Sequence, residues 1–180
     1  MIRTSRRILP VAIAAVLVAA ALSGCSPQQV ADLLHRGETR DATGEITEGG
    51  TTDVFTLREG DCLDDPSMLA HAQGDESESG PVTEVRTLPC TEPHDFEVFR
   101  NVTLSGGDDY PGADPVYEEA DALCGDAFED YVEAAYDDSI YDYVEYTPTA
   151  DGWVTGDRIA NCLIGEPAGK TVGSLAGIGR

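Results

Sequence analysis

Basic residues are scarce in this chain. Only 11 of 180 residues are Lys or Arg, against 34 Asp or Glu, which leaves a net charge of −23. A surface of that sign repels nucleic-acid phosphates and anionic lipid headgroups, so nucleic acid is excluded as a partner; it suits cations or basic proteins. No Cys-x-x-Cys spacing occurs, which removes the zinc knuckle and the dithiol redox motif. There is no phosphate-binding glycine loop, no Ser-His-Asp order and no carboxylate pair that stands out among so many acids. Internal repeats are absent, and tryptophan occurs once. The main apolar run, Ile8 to Leu22, falls short of the about 20 residues that a spanning helix needs.

What that run does fit is export. Arg3, Arg6 and Arg7 precede it, and small residues follow it, the order of a signal peptide. Leu22-Ser23-Gly24-Cys25 resembles a bacterial lipobox. The resemblance implies cleavage before Cys25 and a diacylglyceryl group on its thiol, with the chain anchored to the outer face of the cell membrane. Ser5-Arg6-Arg7 leaves twin-arginine export open beside the general route. Loss of residues 1–24 would take three positive charges and no negative one, leaving 8 basic against 34 acidic residues, or −26.

With Cys25 set aside, four cysteines remain: Cys62, Cys90, Cys124 and Cys162. An even number in an exported domain reads as two disulfides. Three connectivities are open. Pairing neighbours in sequence, Cys62–Cys90 and Cys124–Cys162, is the expected one, each bridge contributing about 3.5–4 kcal/mol on the chain-entropy model. A bridged Cys90 is neither nucleophile nor ligand.

Residues 25–52 are polar and rich in Thr, Gly and Glu, and read as a disordered tether carrying the lipidated cysteine. As a flexible coil such a segment spans roughly 30 Å. The globular domain is expected over 53–180, opening with a strand or extended segment at Val54, Phe55 and Leu57. Asp64 to Pro81 reads as an acidic, turn-rich loop. Asp95 to Leu104 alternates as a strand, with Phe96, Val98, Val102 and Leu104 on one face; Arg100 and Phe99 break the alternation. From Asp114, as cap, and Pro115, Val116 to Ala135 carries an apolar stripe at helical spacing, with Cys124 on it. Ile140 to Thr149 is β-prone, and Arg158 to Gly165 is apolar enough for a central strand covered on both faces. The expected fold is α+β: an antiparallel or mixed sheet of about five strands, one long packed helix and two disulfides.

The motifs "DVFTLREGDCL", "LPCTEPHDFEVF", "YPG", a helix with "LC…F…YV", "PT…W…GDR…C" and "GSLAGIGR" follow in that order from Asp53 to Arg180. Together they resemble the septum formation-related domain of actinobacterial envelope proteins. The resemblance implies a membrane-anchored or lipidated domain facing outward, linked by name to division septa, with no catalytic mechanism or cofactor attached to the family. Asp64 to Gly80 looks like an insertion in it.

Three readings of His94 compete: a general base, a metal ligand with Asp95 or Glu97, and a structural corner after Pro93. Adjacent strand residues point to opposite faces, which disfavours the metal set. Asp108-Asp109 and Asp137-Asp138 lack the spacing of a calcium loop and read as solvated turns. Trp153, in a turn, could line a sugar- or peptide-binding face with Tyr141, Tyr143 and Tyr146, or pack in the core. No metal and no cofactor is expected. The sequence thus points to a lipid-anchored, extracytoplasmic, non-catalytic domain that binds a protein or cell-wall partner in the envelope. An envelope hydrolase or metal-dependent enzyme using His94, and a purely structural surface module, are the competing classes.

Overall fold

A computed structural model describes residues 37–74 and 80–180. The signal peptide, Cys25 and the first part of the tether lie outside the described residues. Among those described, no helix is long and apolar enough to cross a membrane.

Eight strands and three α-helices follow in the order β1 (Thr39–Arg40), β2 (Ile46–Glu48), β3 (Gly50–Asp53), β4 (Cys62–Asp64), α1 (Pro66–Ala72), β5 (Glu84–Leu88), β6 (Phe96–Thr103), α2 (Ala113–Val132), β7 (Asp142–Tyr146), α3 (Ala150–Val154) and β8 (Ile159–Gly165). Strands β1 and β2 form a small antiparallel ribbon. The other six make one antiparallel sheet in the order β3-β5-β4-β6-β8-β7. The fold is α+β, as expected, with six strands in the main sheet. Both disulfides join the expected partners, with Cα atoms 5.2 Å apart for Cys62–Cys90 and 5.6 Å for Cys124–Cys162. Bridges of this kind belong to an oxidising compartment.

Helix α2 lies on one face of the sheet because its stripe repeats every four residues: Val116, Ala120, Cys124, Phe128 and Val132 are all buried. They meet Phe99, Cys162 and Ile164 from the sheet, and Trp153 and Ala160 near the helix start. The opposite face carries a second core of Leu63, Val85, Phe96, Val98 and Leu163, covered by Met68 of α1 and by Val54 and Leu57. Strand β8 is buried along nearly its whole length, as a strand covered on both faces must be.

Strand β6 corrects the expected alternation. Val98 pairs with Leu163 and Arg100 with Cys162, so Phe99 is an extra residue, a β-bulge. Phe96 and Val98 pack in the α1-side core, whereas Phe99 and, after the bulge, Val102 and Leu104 pack on the α2 side. The two residues that broke the pattern, Phe99 and Arg100, sit where the register shifts.

Four further expectations are corrected. Residues 39–52, assigned to the tether, form β1, β2 and all of β3 but its last residue, Asp53. Ile46 and Thr52 are buried there, Thr52 shares a hydroxyl hydrogen bond with Thr87 (2.8 Å), and the Arg40 guanidinium grips both oxygens of Asp61 (2.5 and 2.7 Å). Hydrogen bonds and an ion pair replace the apolar stripe that the segment lacks. Val54–Thr56 is a 3₁₀ turn rather than a strand, because the Asp53 carboxylate accepts the Phe55 N–H. Part of the acidic loop is helix α1: Asp65 accepts from the N–H groups of Ser67 and Met68, and Pro66 takes the first turn. The turn around Trp153 is the short helix α3, capped by Thr149.

Helix α2 itself starts at Ala113, after Gly112, and Asp114 lies in its first turn without capping it. It stops at Val132 because Glu133 turns left-handed (φ 62°). Two of its last carbonyls, on Tyr131 and Val132, accept from Gly177 and Gly179 of the C-terminal tail.

Candidate functional site

His94 occupies a corner between Pro93 and β6 and is fully buried. Its backbone exchanges both hydrogen bonds with Thr171 (3.0 and 2.9 Å). The ring Nδ1 lies 2.8 Å from the Glu92 carbonyl, which can only accept, so Nδ1 carries the proton. In that tautomer Nε2 accepts from the Thr171 hydroxyl at 3.0 Å. Both nitrogens are occupied, and Cys90 is oxidised. The neighbouring acids turn elsewhere. Asp95 meets Lys170 (2.9 Å), and Glu97 takes the hydroxyls of Tyr131 and Ser174 (2.8 and 2.7 Å) and the Leu175 N–H (2.6 Å). Among the described residues, the one close set of potential metal-binding atoms is Cys62, Cys90 and Glu97, and both of its sulfurs are spent in the disulfide.

The aromatic residues do not assemble a stacking face. Trp153 is buried; its indole N–H donates to the Gly107 carbonyl (3.1 Å), and the Arg158 guanidinium lies 3.7 Å over its ring. Gly106 leaves it room, since a Cβ there would come within 2.9 Å of the indole. Tyr141 is buried too, with its hydroxyl accepting from Arg180 Nε (3.2 Å). Tyr143 is half-buried among Phe99, Phe128 and Tyr136, and its hydroxyl donates to Asp121 (3.2 Å). Core packing is therefore what Trp153 and Tyr141 do.

A concave feature lies elsewhere, on the sheet face opposite α2. A groove of about 310 Å³ runs beside β7 and β8. Phe55 (64 % exposed) and Ile159 (42 %) stand on it with Val82, while Tyr146, Thr147 and Asn161 supply the polar lining. Its frame is rigidly bonded. Asn161 Nδ2 donates to Asn101 Oδ1 (2.8 Å), and Asn101 Nδ2 donates to the Leu57 carbonyl (3.0 Å). The Tyr146 hydroxyl donates to Asp65 (2.6 Å), and burial followed by that bond pushes the phenol well above its ordinary pKa. Burial works to raise Asp65, but hydrogen bonds from Ser67, Tyr146 and the helix N–H groups outweigh it and hold its carboxyl low. Polar framing with exposed apolar groups at the mouth is chemistry for holding a peptide or side chain. Phe55 was visible in the sequence only as a residue of a supposed strand, and nothing in its pattern marked it as exposed.

These features define a disulfide-stapled α+β domain with a grooved sheet face and a buried histidine corner. The chain belongs to the septum formation family, whose model matches residues 59–176. No curated protein and no solved structure matches it.

Proposed function

We propose that this is a lipid-anchored extracytoplasmic domain that binds a partner in the cell envelope at the division septum, with no catalysis of its own. The observation that carries the reading is the groove beside β7 and β8, where Phe55 and Ile159 are left exposed over a hydrogen-bonded polar floor. Exposed apolar groups beside a formed concavity favour association over simple solvation. The family's description as septum formation supports the site of action, and the two disulfides support an oxidising compartment. The lipobox-like Leu22-Ser23-Gly24-Cys25 supports the anchor. The absence of catalysis draws support from His94, whose two nitrogens are both engaged.

The test is a paired substitution, Phe55→Asp with Ile159→Asp, in the full chain. Both side chains are exposed, so the melting temperature should stay within a few degrees while the partner complex and septal placement are lost. Unchanged placement and complex would reject the groove as the binding surface. Intact mass of the membrane-extracted chain, beginning at an acylated Cys25, checks the anchor.

A further inference from the structure

Strand β7 ends the sheet, and its α2-facing side gathers acids and tyrosines. Tyr143 and Glu145, two residues apart, share that face. The Tyr143 hydroxyl reaches Asp121 on α2 (3.2 Å), and the Tyr136 hydroxyl reaches Asp142 (2.6 Å). Tyr117 of α2 lies close enough for Glu145 to be the largest influence raising its hydroxyl pKa. Within this cluster Glu145 is only 8 % exposed, and its Oε1 has no hydrogen-bond partner. A buried carboxylate oxygen left unpaired is costly, and native proteins rarely leave one without a ligand, an ion or a water.

A cation would answer both the unpaired oxygen and the crowded negative charge. Burial, followed by the charge of Asp121, pushes the Glu145 carboxyl up to about 7, the response of an acid that lacks its counter-charge. The oxygens of Asp121, Asp142 and Glu145 do not all come within 4.8 Å of one another, so they are too dispersed to close around a bare metal ion. A guanidinium, with five N–H donors spread over a plane, spans such a set and stacks on tyrosine rings. Tyr117 and Tyr136, about half exposed at 51 % and 47 %, supply those rings. The Tyr117 hydroxyl has no hydrogen-bond partner among the described residues, and an exposed side chain of this kind changes rotamer rapidly.

We propose that the α2–β7 edge is a docking site for an arginine-bearing basic segment of the envelope partner, whose guanidinium pairs with Glu145 and Asp121 between Tyr117 and Tyr136. The proposal rests on the reading of the domain as a binding module. Charge complementarity argues for this occupant, since acids outnumber basic residues 34 to 11 along the chain. Binding draws Glu145 into its ionised form and releases its proton to solvent. The other titratable groups facing Glu145 are Asp121 and Tyr117 on α2 and Asp142 and Tyr143 on β7.

The test is calorimetry of the full lipidated chain in phosphatidylcholine nanodiscs, titrated near pH 7 with acetyl-Gly-Arg-Gly-Arg-Gly-amide and with its citrulline counterpart. The arginine peptide should bind with proton release and the citrulline peptide should not. Glu145→Gln should weaken binding at least tenfold, and so should Asp121→Asn, the second variant in case the first misfolds. Glu129→Gln with Asp130→Asn, exposed on α2, should change it less than twofold. Equal binding of citrulline, equal weakening by the remote pair, stoichiometric displacement by calcium, or no binding would each overturn the proposal. If it fails while Phe55→Asp with Ile159→Asp still abolishes the partner complex, the binding-module reading stands and only the arginine site is lost.

Discussion

The carboxylate of Glu97, on β6, accepts the backbone N–H of Leu175 at 2.6 Å across 78 residues of chain. The same group holds Ser174 and Tyr131, so one buried acid fastens the C-terminal tail to the end of α2, where Gly177 and Gly179 cap the helix carbonyls. Burial, then the Glu97 charge, drives the Tyr131 phenol well above its usual range. Glu97→Ala would leave the buried Leu175 N–H and the part-buried Tyr131 hydroxyl without their acceptor, and should cost about 2–4 kcal/mol in denaturant unfolding. Amide exchange should speed up first at residues 174–179.

Glu145 makes stability depend on pH with an unusual sign. Its carboxyl is raised from the ordinary 4.5 to about 7 by burial and then by Asp121. An acid raised in the folded state binds its proton more tightly there, so its contribution is most favourable below about pH 4.5. That contribution falls as pH climbs from about 4.5 to 7, and the penalty is complete above. The full swing is about 3 kcal/mol. Glu145→Gln should abolish this swing and be the more stable protein at pH 8, as read from urea midpoints across pH 5–8.

Trp153 anchors the end of the sheet below α2 rather than a ligand. Trp153→Ala should cost about 3–5 kcal/mol, the range for emptying a packed aromatic site. Arg158, which covers the ring and donates to the carbonyls of Trp153, Asp157 and Gly107, should lose stability on change to Ala by about 1–2 kcal/mol. Thermal melts followed by tryptophan fluorescence check the second; circular dichroism is needed for the first.

His94→Ala removes a side chain whose two bonds, to Glu92 and Thr171, close the corner before β6. A stability loss of about 1–3 kcal/mol is expected, with partner affinity of the folded fraction unchanged. Retained stability together with lost function would instead mark the imidazole as chemical.

How much of this was legible in the sequence varied with the physics of each element. Helix α2 and strand β8 are held by apolar burial, which a periodic stripe announced for the first and a nearly unbroken apolar run for the second. The bulge at Phe99 was visible as a fault, Phe99 and Arg100 each on the wrong face, yet a fault does not say in which direction the register shifts. Asp65-Pro66 and Asp114-Pro115 carry the same cap-and-proline signal. The carboxylate caps α1 at the first, whereas at the second α2 begins two residues early, without a side-chain cap. Strands β1 to β3 escaped notice because Thr-Gly-Glu sequences look disordered until Arg40 finds Asp61 and Thr52 finds Thr87. The same holds for the site. Nothing local separates Glu97 and Glu145 from the other acids, since burial of a carboxylate is decided by partners on other elements.

The most direct test of the central claim is photo-crosslinking from a benzophenone amino acid at position 55 of the full chain, in living cells during division. The account predicts one defined envelope adduct, lost with Ile159→Asp and absent when the probe sits at exposed Val172. No adduct from position 55, or the same adduct from both positions, would contradict it.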